Sequence, residues 1–404
     1  MNPLLQRLQP YPFERLKQLF STVTPSAKYP PISLGIGEPR HATPQLVLDA
    51  LAASTEALSS YPATVGLPAL RQSCANWVQR RYGLALNPDN QILPINGSRE
   101  ALFAFAQTVV DGSKTGATVV CPNPFYQIYE GAALLAGAQA FYAPSDPALN
   151  FNVDWGNVPE AVWKNTQLLF VCSPGNPTGS VMPLADWKTL LELSDRYGFV
   201  IASDECYSEI YFREEAPLGG LEASYKLGRT DYKNLVAFTS LSKRSNVPGM
   251  RSGFVSGDAN LLKQFLLYRT YHGSAMSGMV QAASVAAWND EAHVVANRAM
   301  YREKFAAVTP LLAEVMDVRL PDAGFYLWAA VPGGDDVAFA RDLLAQYNVT
   351  VLPGSYLARD SQGVAGAKGF NPGAGRIRMA LVAETAECLE AAQRIVQFTK
   401  SLAH

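Results

Sequence analysis

Lys243 is the residue on which the chemistry of this chain turns. It ends the run Ser240-Leu-Ser242-Lys243, directly after the apolar stretch Leu235–Thr239, and Arg251 follows eight positions on, just before Ser252-Gly253. A lysine amine held in a serine-rich turn suits condensation with an aldehyde, while hydroxyls and a guanidinium nearby suit a phosphate. A lysine after a strand is ordinarily a solvated loop residue. The reading therefore depends on what other apolar runs carry at their ends.

Four of them end in unusual chemistry. After Gln91–Ile95 comes Asn96-Gly97-Ser98-Arg99, opening a helix over Ala101–Val110. A Gly-Ser turn at a helix start offers free N–H groups and a hydroxyl to a phosphate, or else Ser98 is an ordinary cap. After Ala117–Cys121, Pro122-Asn-Pro-Phe125-Tyr126 is stiff enough to aim a ring, Tyr126 or its neighbour Phe125, at a flat ligand; a surface tyrosine is the plain alternative. After Leu168–Cys172, Asn176 sits among prolines and glycines in Ser173-Pro-Gly-Asn-Pro-Thr-Gly179, so its amide suits a phenolate oxygen, or it forms an Asn-Pro turn. After Phe199–Ser203 come Asp204 and Tyr207. An acid behind so apolar a run is driven neutral unless a cation pairs with it, and a protonated pyridine nitrogen would be that cation. Tyr207 would then share the phenolate oxygen. A helix-capping aspartate is the plain alternative.

These runs alternate with amphipathic helices. One is Leu184–Tyr197, started by Pro183 and stopped by Gly198. The rhythm predicts an α/β chain, a mostly parallel central sheet covered on both faces, with ligands beyond the carboxyl ends of its strands. Towards the C-terminus, Gly324–Trp328 and Arg376–Val382 read as strands and Val337–Tyr347 and Thr385–Leu402 as helices. Gly363–Gly375 reads as a mobile loop. We expect a large domain over 44–290 and a smaller α+β domain over 291–404, completed by residues 1–43. One long helix over Ala282–Glu314, bent near Asn289-Asp290, would join them.

Composition removes several classes of function. The formal net charge of −2 over 404 residues leaves no footprint for nucleic acid, which argues against a DNA-bound regulator. The five cysteines are scattered and form no C-x-x-C pair, so no disulfide framework is expected; Cys121 and Cys172 read as small core residues, and a reducing, cytoplasmic compartment follows. The four histidines lack metal-ligand spacing, so no metal site is expected. The N-terminus does not read as a signal peptide, and no apolar run approaches the ~18 residues of a membrane span. Gly35-Ile-Gly37-Glu-Pro-Arg40 begins like a dinucleotide fingerprint, but Arg40 stands where the third glycine belongs.

Taken in order, Gly97-Ser98, Tyr126, Asn176-Pro-Thr-Gly179, Asp204-x-x-Tyr207, Ser240-x-Ser242-Lys243, Arg251 and Arg378 resemble the class I/II aminotransferases, pyridoxal-phosphate enzymes of fold type I. The likeness runs from about Pro31 to Leu402. It implies pyridoxal 5′-phosphate as cofactor, Lys243 as Schiff-base lysine and proton carrier, and Asp204 as partner of the pyridine nitrogen. It implies Asn176 and Tyr207 on the phenolate oxygen and Tyr126 stacked on the ring. Gly97, Ser98, the Arg99 backbone, Ser240, Ser242 and Arg251 would surround the phosphate. Tyr61 would reach the phosphate of a second subunit, making the site dependent on a homodimer. Arg378 would clamp the substrate α-carboxylate, with Arg376 as the competing choice, and the backbone of Ile36-Gly37 would touch the same group.

The opening Met1-Asn-Pro-Leu-Leu and the late Gly375–Ala383 resemble one bacterial subfamily more closely. That implies glutamate as donor and N-succinyl-2-amino-6-oxopimelate as acceptor, giving N-succinyl-LL-2,6-diaminopimelate and 2-oxoglutarate in lysine biosynthesis. Arg40, Arg99, Lys263, Arg269 and Lys368 are the candidate contacts for the extra carboxylates. An aspartate or aromatic aminotransferase, or a C–S lyase on the same fold, would use the same cofactor residues.

Overall fold

The computed structural model describes residues 1–361 and 369–402. Strands in chain order are β1 (Ile32–Ser33), β2 (Ile92–Ile95), β3 (Thr118–Asn123), β4 (Gln139–Asp146), β5 (Asn152–Val153), β6 (Thr166–Cys172), β7 (Val200–Asp204), β8 (Leu235–Ser240), β9 (Gly253–Gly257), β10 (Tyr326–Ala330), β11 (Val349–Thr350), β12 (Leu352–Pro353) and β13 (Arg376–Ala380). Eight form one sheet in the order β2-β9-β8-β7-β6-β3-β4-β5. Its centre, β8-β7-β6-β3-β4, is parallel, as the unbroken apolar runs require of strands buried on both faces.

The direction of each strand explains the site. The parallel strands β3, β6, β7 and β8 deliver Tyr126, Asn176, Asp204 and Lys243 to one edge. Strand β9 runs antiparallel to β8, with Ser240 opposite Gly253, so its amino end lies at that edge and presents Arg251. Strand β2 reverses direction again against β9, Ile95 opposite Gly253, so Gly97 and Ser98 emerge there too. Gly253 is required at this crossing: a Cβ there would sit 2.2 Å from the Thr239 carbonyl oxygen. Trp77, Trp187 and Trp288 are fully buried in the core on one face, and Phe105, Phe238 and Phe265 pack edge to face on the other.

A second core gathers around the antiparallel sheet β10-β13-β12, where Arg378 lies opposite both Trp328 and Leu352. The N-terminal segment joins this part through the parallel pairing of β1 with β11. The long helix expected over Ala282–Glu314 is two helices, Gly278–Asn289 and Ala292–Ala313. Asp290 is extended, and its carboxylate accepts the His293 N–H at 3.0 Å, so it ends the first helix and starts the second rather than bending one. Part of the expected mobile loop, 362–368, lies outside the described residues. Among the described residues, no helix is long and apolar enough to cross a membrane.

Candidate active site

A cavity of about 470 Å³ opens at the carboxyl edge of the large sheet, closed from the far side by β10 and β13. It is lined by Ile36, Gly37, Ser98, Arg99, Tyr126, Asn176, Asp204, Tyr207, Ser240, Ser242, Lys243, Arg251 and Arg378. Of the residues expected at the site, two stand apart. Gly97 lies behind the wall, and Tyr61 is fully exposed to solvent, away from the cavity.

Lys243 lies in the short helix Leu241–Arg244, with Nζ donating to the Gly37 carbonyl at 3.1 Å. Burial lowers its pKa to about 8, with the charges of Arg251 and Arg378 acting in the same direction. A large fraction of this amine is therefore neutral and nucleophilic at mildly alkaline pH. Asp204, the last residue of β7, is buried and makes no ion pair among the described residues. Burial raises its pKa, against hydrogen bonds from the Tyr129 hydroxyl at 2.8 Å and the Cys206 N–H at 3.3 Å. It is a strand-end acid, not a helix cap.

At the other end of the cavity, Ser98 begins the helix Ser98–Val109, and Gly97 rather than Ser98 is its cap, at φ 80°. A Cβ on Gly97 would come 2.2 Å from Arg251 Nη2. Arg251 itself has φ 53°, an uncommon left-handed conformation for a non-glycine residue, and donates to the Pro248 carbonyl at 2.8 Å and Ser242 Oγ at 3.4 Å. Ser240 Oγ accepts the Ser242 N–H at 3.1 Å. The result is a cradle of free N–H groups, hydroxyls and one guanidinium that has no carboxylate partner among the described residues, which suits a phosphate.

Arg378 and Arg376 part company. Arg378 is buried, with Nη1 donating to Asn176 Oδ1 and Nη2 to the Gly35 carbonyl, both at 3.0 Å. Arg376 lies outside the cavity, over Phe151 and 3.9 Å from Asp317. Because Asn176 presents its oxygen to Arg378, its NH2 is left for another acceptor. Phe125 is buried against Tyr142, so Tyr126 is the ring that faces the cavity. Of the candidates for extra carboxylates among the described residues, only Arg99 lines the cavity. Arg40 pairs with Glu387 and Arg269 with Glu100, Lys263 is not in the wall, and Lys368 lies outside the described residues.

Several wall residues were not legible from the sequence: Tyr11, Phe13, Glu38, Cys206, Tyr326 and Leu357. Tyr326 shares a hydrogen bond with the Tyr207 hydroxyl at 3.1 Å, and its alternation on β10 was the available signal. Cys172 packs partly buried against the core, as expected, and also reaches the cavity wall; burial pushes its thiol up to about 12.

An aldehyde-seeking lysine, a buried acid in need of a cation and a phosphate cradle around one cavity define the class of protein. The model of aminotransferases of class I and II matches residues 29–395, and the chain belongs to that family. It is a pyridoxal-phosphate-dependent aminotransferase, and the residues present fit that cofactor. A crystal structure of an aminotransferase from Neisseria meningitidis is 56% identical, covering 98% of this chain and all of that one, with a TM-score of 0.94. The LL-diaminopimelate aminotransferase of Dehalococcoides mccartyi is 32% identical over 368 residues, 90% of this chain and 92% of that protein. A structure described as a probable N-succinyldiaminopimelate aminotransferase from Thermus thermophilus is 27% identical, covers 96% of this chain and 98% of that one, and has a TM-score of 0.81.

Proposed function

We propose that this enzyme moves an amino group between glutamate and N-succinyl-2-amino-6-oxopimelate, forming N-succinyl-LL-2,6-diaminopimelate and 2-oxoglutarate. The observation that carries the proposal is Arg99. It is a cation in the cavity wall whose Nε donates to the Tyr126 hydroxyl at 2.6 Å and which has no carboxylate partner among the described residues; Tyr11, Phe13 and Leu357 line the same cavity. Lys243, Arg251 and Arg378 have the aldehyde, the phosphate and the α-carboxylate to serve. The fourth cation is free for a carboxylate at the far end of a long substrate. Succinylation removes an ammonium from diaminopimelate and adds a carboxylate, which favours a guanidinium there. A second reading is transamination of LL-diaminopimelate itself, the activity named for the Dehalococcoides relative. Glu38 in the wall supports it as a partner for the free ammonium.

In either case the residues divide the work in the same way. Bound pyridoxal phosphate supplies the aldehyde carbon and an electron-withdrawing ring. Asp204 would hold a carboxylate at its pyridine nitrogen, and Tyr126 would cover the ring face. The Asn176 NH2 and the Tyr207 hydroxyl would donate to its phenolate oxygen. Ser98, the Arg99 backbone, Ser240, Ser242 and Arg251 would hold the phosphate, with Gly97 leaving room for the Arg251 guanidinium. Arg378, with the backbone of Ile36-Gly37, orients the α-carboxylate so that Lys243 Nζ can take and return the α-proton. Exposed Tyr61 serves the phosphate of a second subunit, so the working unit is a homodimer. The pairing of β1 with β11 supports a small domain built from 1–43 and 291–404 beside the large one at 44–290.

The test is to mix the purified holoenzyme with 2-oxoglutarate and, separately, N-succinyl-LL-diaminopimelate, LL-diaminopimelate, aspartate and phenylalanine, following glutamate formation. Preference for the succinylated donor supports the proposal. Preference for LL-diaminopimelate selects the second reading, and turnover of aspartate or phenylalanine alone rejects both. Pyruvate release from cystathionine without a keto-acid acceptor would point to a lyase.

A further inference from the structure

A chain of buried polar groups runs behind Lys243. The Lys304 ammonium, on the helix Ala292–Ala313, lies 3.0 Å from His41 Nε2, and His41 Nδ1 lies 2.8 Å from Asn297 Oδ1. Asn297 Nδ2 reaches the Lys243 carbonyl at 3.4 Å, and Asn246 Nδ2 donates to Asn297 Oδ1 at 3.0 Å. Lys304 is only 1% exposed and forms no ion pair among the described residues. The bonding settles the imidazole: Asn297 Oδ1 can only accept, so Nδ1 carries the proton and Nε2 accepts from the ammonium.

His41 closes the stretch that brings backbone to the substrate. Gly35 and Gly37 offer their carbonyls to Arg378 and Lys243, and Ile36, Gly37 and Glu38 line the cavity. Yet among the described residues no backbone N–H from 35 to 43 bonds another backbone group. Besides the Arg378 and Lys243 bonds to its carbonyls, the stretch is held by its own side chains: His41 on Asn297 and Lys304, Arg40 on Glu387, and Thr43 on the Asn246 carbonyl. Of the stretch's own side-chain anchors, only the His41 contacts are fully buried.

We propose that His41 and Lys304 are a positioning pair for transamination: the neutral imidazole, clamped between the Lys304 ammonium and Asn297, sets the 35–38 backbone and the Lys243 turn in register with each other. The pair is sensitive to protons. A proton on Nε2 would turn the acceptor into a donor facing an ammonium, breaking the link. The groups facing it are Lys304, with Tyr301 beside the ring, and Glu384, Glu387 and Cys388 at the start of the helix Thr385–Ser401; Arg40, on the same stretch, is paired with Glu387. Burial lowers the His41 pKa, the Lys304 charge adds to this, and Asn297 opposes it.

The test compares His41→Phe, His41→Gln and Lys304→Met with the wild-type holoenzyme. The measurements are kcat and KM for glutamate against pH, the dissociation constant of the cofactor, and the melting temperature. We expect His41→Phe and Lys304→Met to lose tenfold or more in kcat/KM, chiefly through KM, and to bind the cofactor more weakly. The Gln variant, whose amide donates and accepts without titrating, should restore most of that loss and move the acid limb of the kcat/KM profile down by a pH unit or more. If the Phe variant fails to fold, the Lys304→Met and Gln profiles still decide. Lower melting temperatures with KM, cofactor affinity and acid limb all as in the wild type would reduce the pair to core packing and overturn the proposal.

Discussion

The Tyr129 hydroxyl donates to Asp204 Oδ2 at 2.8 Å, with both side chains buried and the Tyr129 ring stacked on Phe170 at 4.6 Å. With the Cys206 N–H on Oδ1 at 3.3 Å, Tyr129 fixes the orientation of the carboxylate that, on the proposed reading, would face the pyridine nitrogen. A hydrogen bond to a charged group contributes about 1.5–3 kcal/mol. Tyr129→Phe should therefore weaken cofactor binding by roughly tenfold or more in an equilibrium titration, while leaving the Lys243 linkage intact.

Asp204→Asn removes the carboxylate itself. Losing one partner of a buried charge pair costs about 3–5 kcal/mol, so turnover should fall by roughly a hundredfold or more. Single-turnover rates with glutamate measure this directly. A rate within a few fold of wild type would mean that Asp204 does not face the ring nitrogen.

Lys243→Ala should abolish both turnover and the visible absorption of the bound cofactor. In the wild-type apoenzyme, the amine with a pKa of about 8 must be neutral to attack the aldehyde. The rate of reconstitution with pyridoxal phosphate should accordingly rise with pH and level off above about 8. A flat profile between pH 6 and 9, by stopped-flow absorbance, would contradict the lowered pKa.

Arg378→Ala should raise KM for glutamate about thirtyfold or more, the loss expected when a buried charge pair loses its cation. Arg376→Ala, which removes a group lying over Phe151 outside the cavity, should change KM less than threefold. The reverse result in steady-state kinetics would shift the clamp by two residues along β13.

What the sequence made legible was the set of strand ends. Tyr126, Asn176, Asp204 and Lys243 each follow an uninterrupted apolar run, and burying such runs in a parallel sheet places their ends together. Tyr129 carried no such mark, because its role arises from a hydrogen bond across 75 positions of chain. The polar Asn289-Asp290 marked an irregularity in the long helical pattern, but not that it is a full break, because that depends on the extended backbone of Asp290 and its side chain bonding the His293 N–H of the next helix. The His41–Lys304 contact spans 263 positions and depends on how the N-terminal segment packs against the later helix, which no local pattern encodes.

Glu205, next to Asp204, gives a stability test independent of catalysis. Burial raises its pKa to about 7, against donors on Gly220, Ser203 and Tyr82 and the charge of Arg81. A carboxyl raised in the folded state favours folding while protonated. That contribution is fully present below the ordinary carboxyl range, near pH 4.5, and is lost as pH rises through about 7. By pH 8 the cost is on the order of 3 kcal/mol. Glu205→Gln avoids the ionisation, keeps an oxygen for Gly220 and Ser203, and offers an N–H to the Tyr82 oxygen. Its melting temperature should exceed that of the wild type at pH 8.5, with the gap closing towards pH 5. A gap that stays constant across that range would show that Glu205 ionises normally in the folded protein, its charge carried by Arg81 and the three hydrogen bonds.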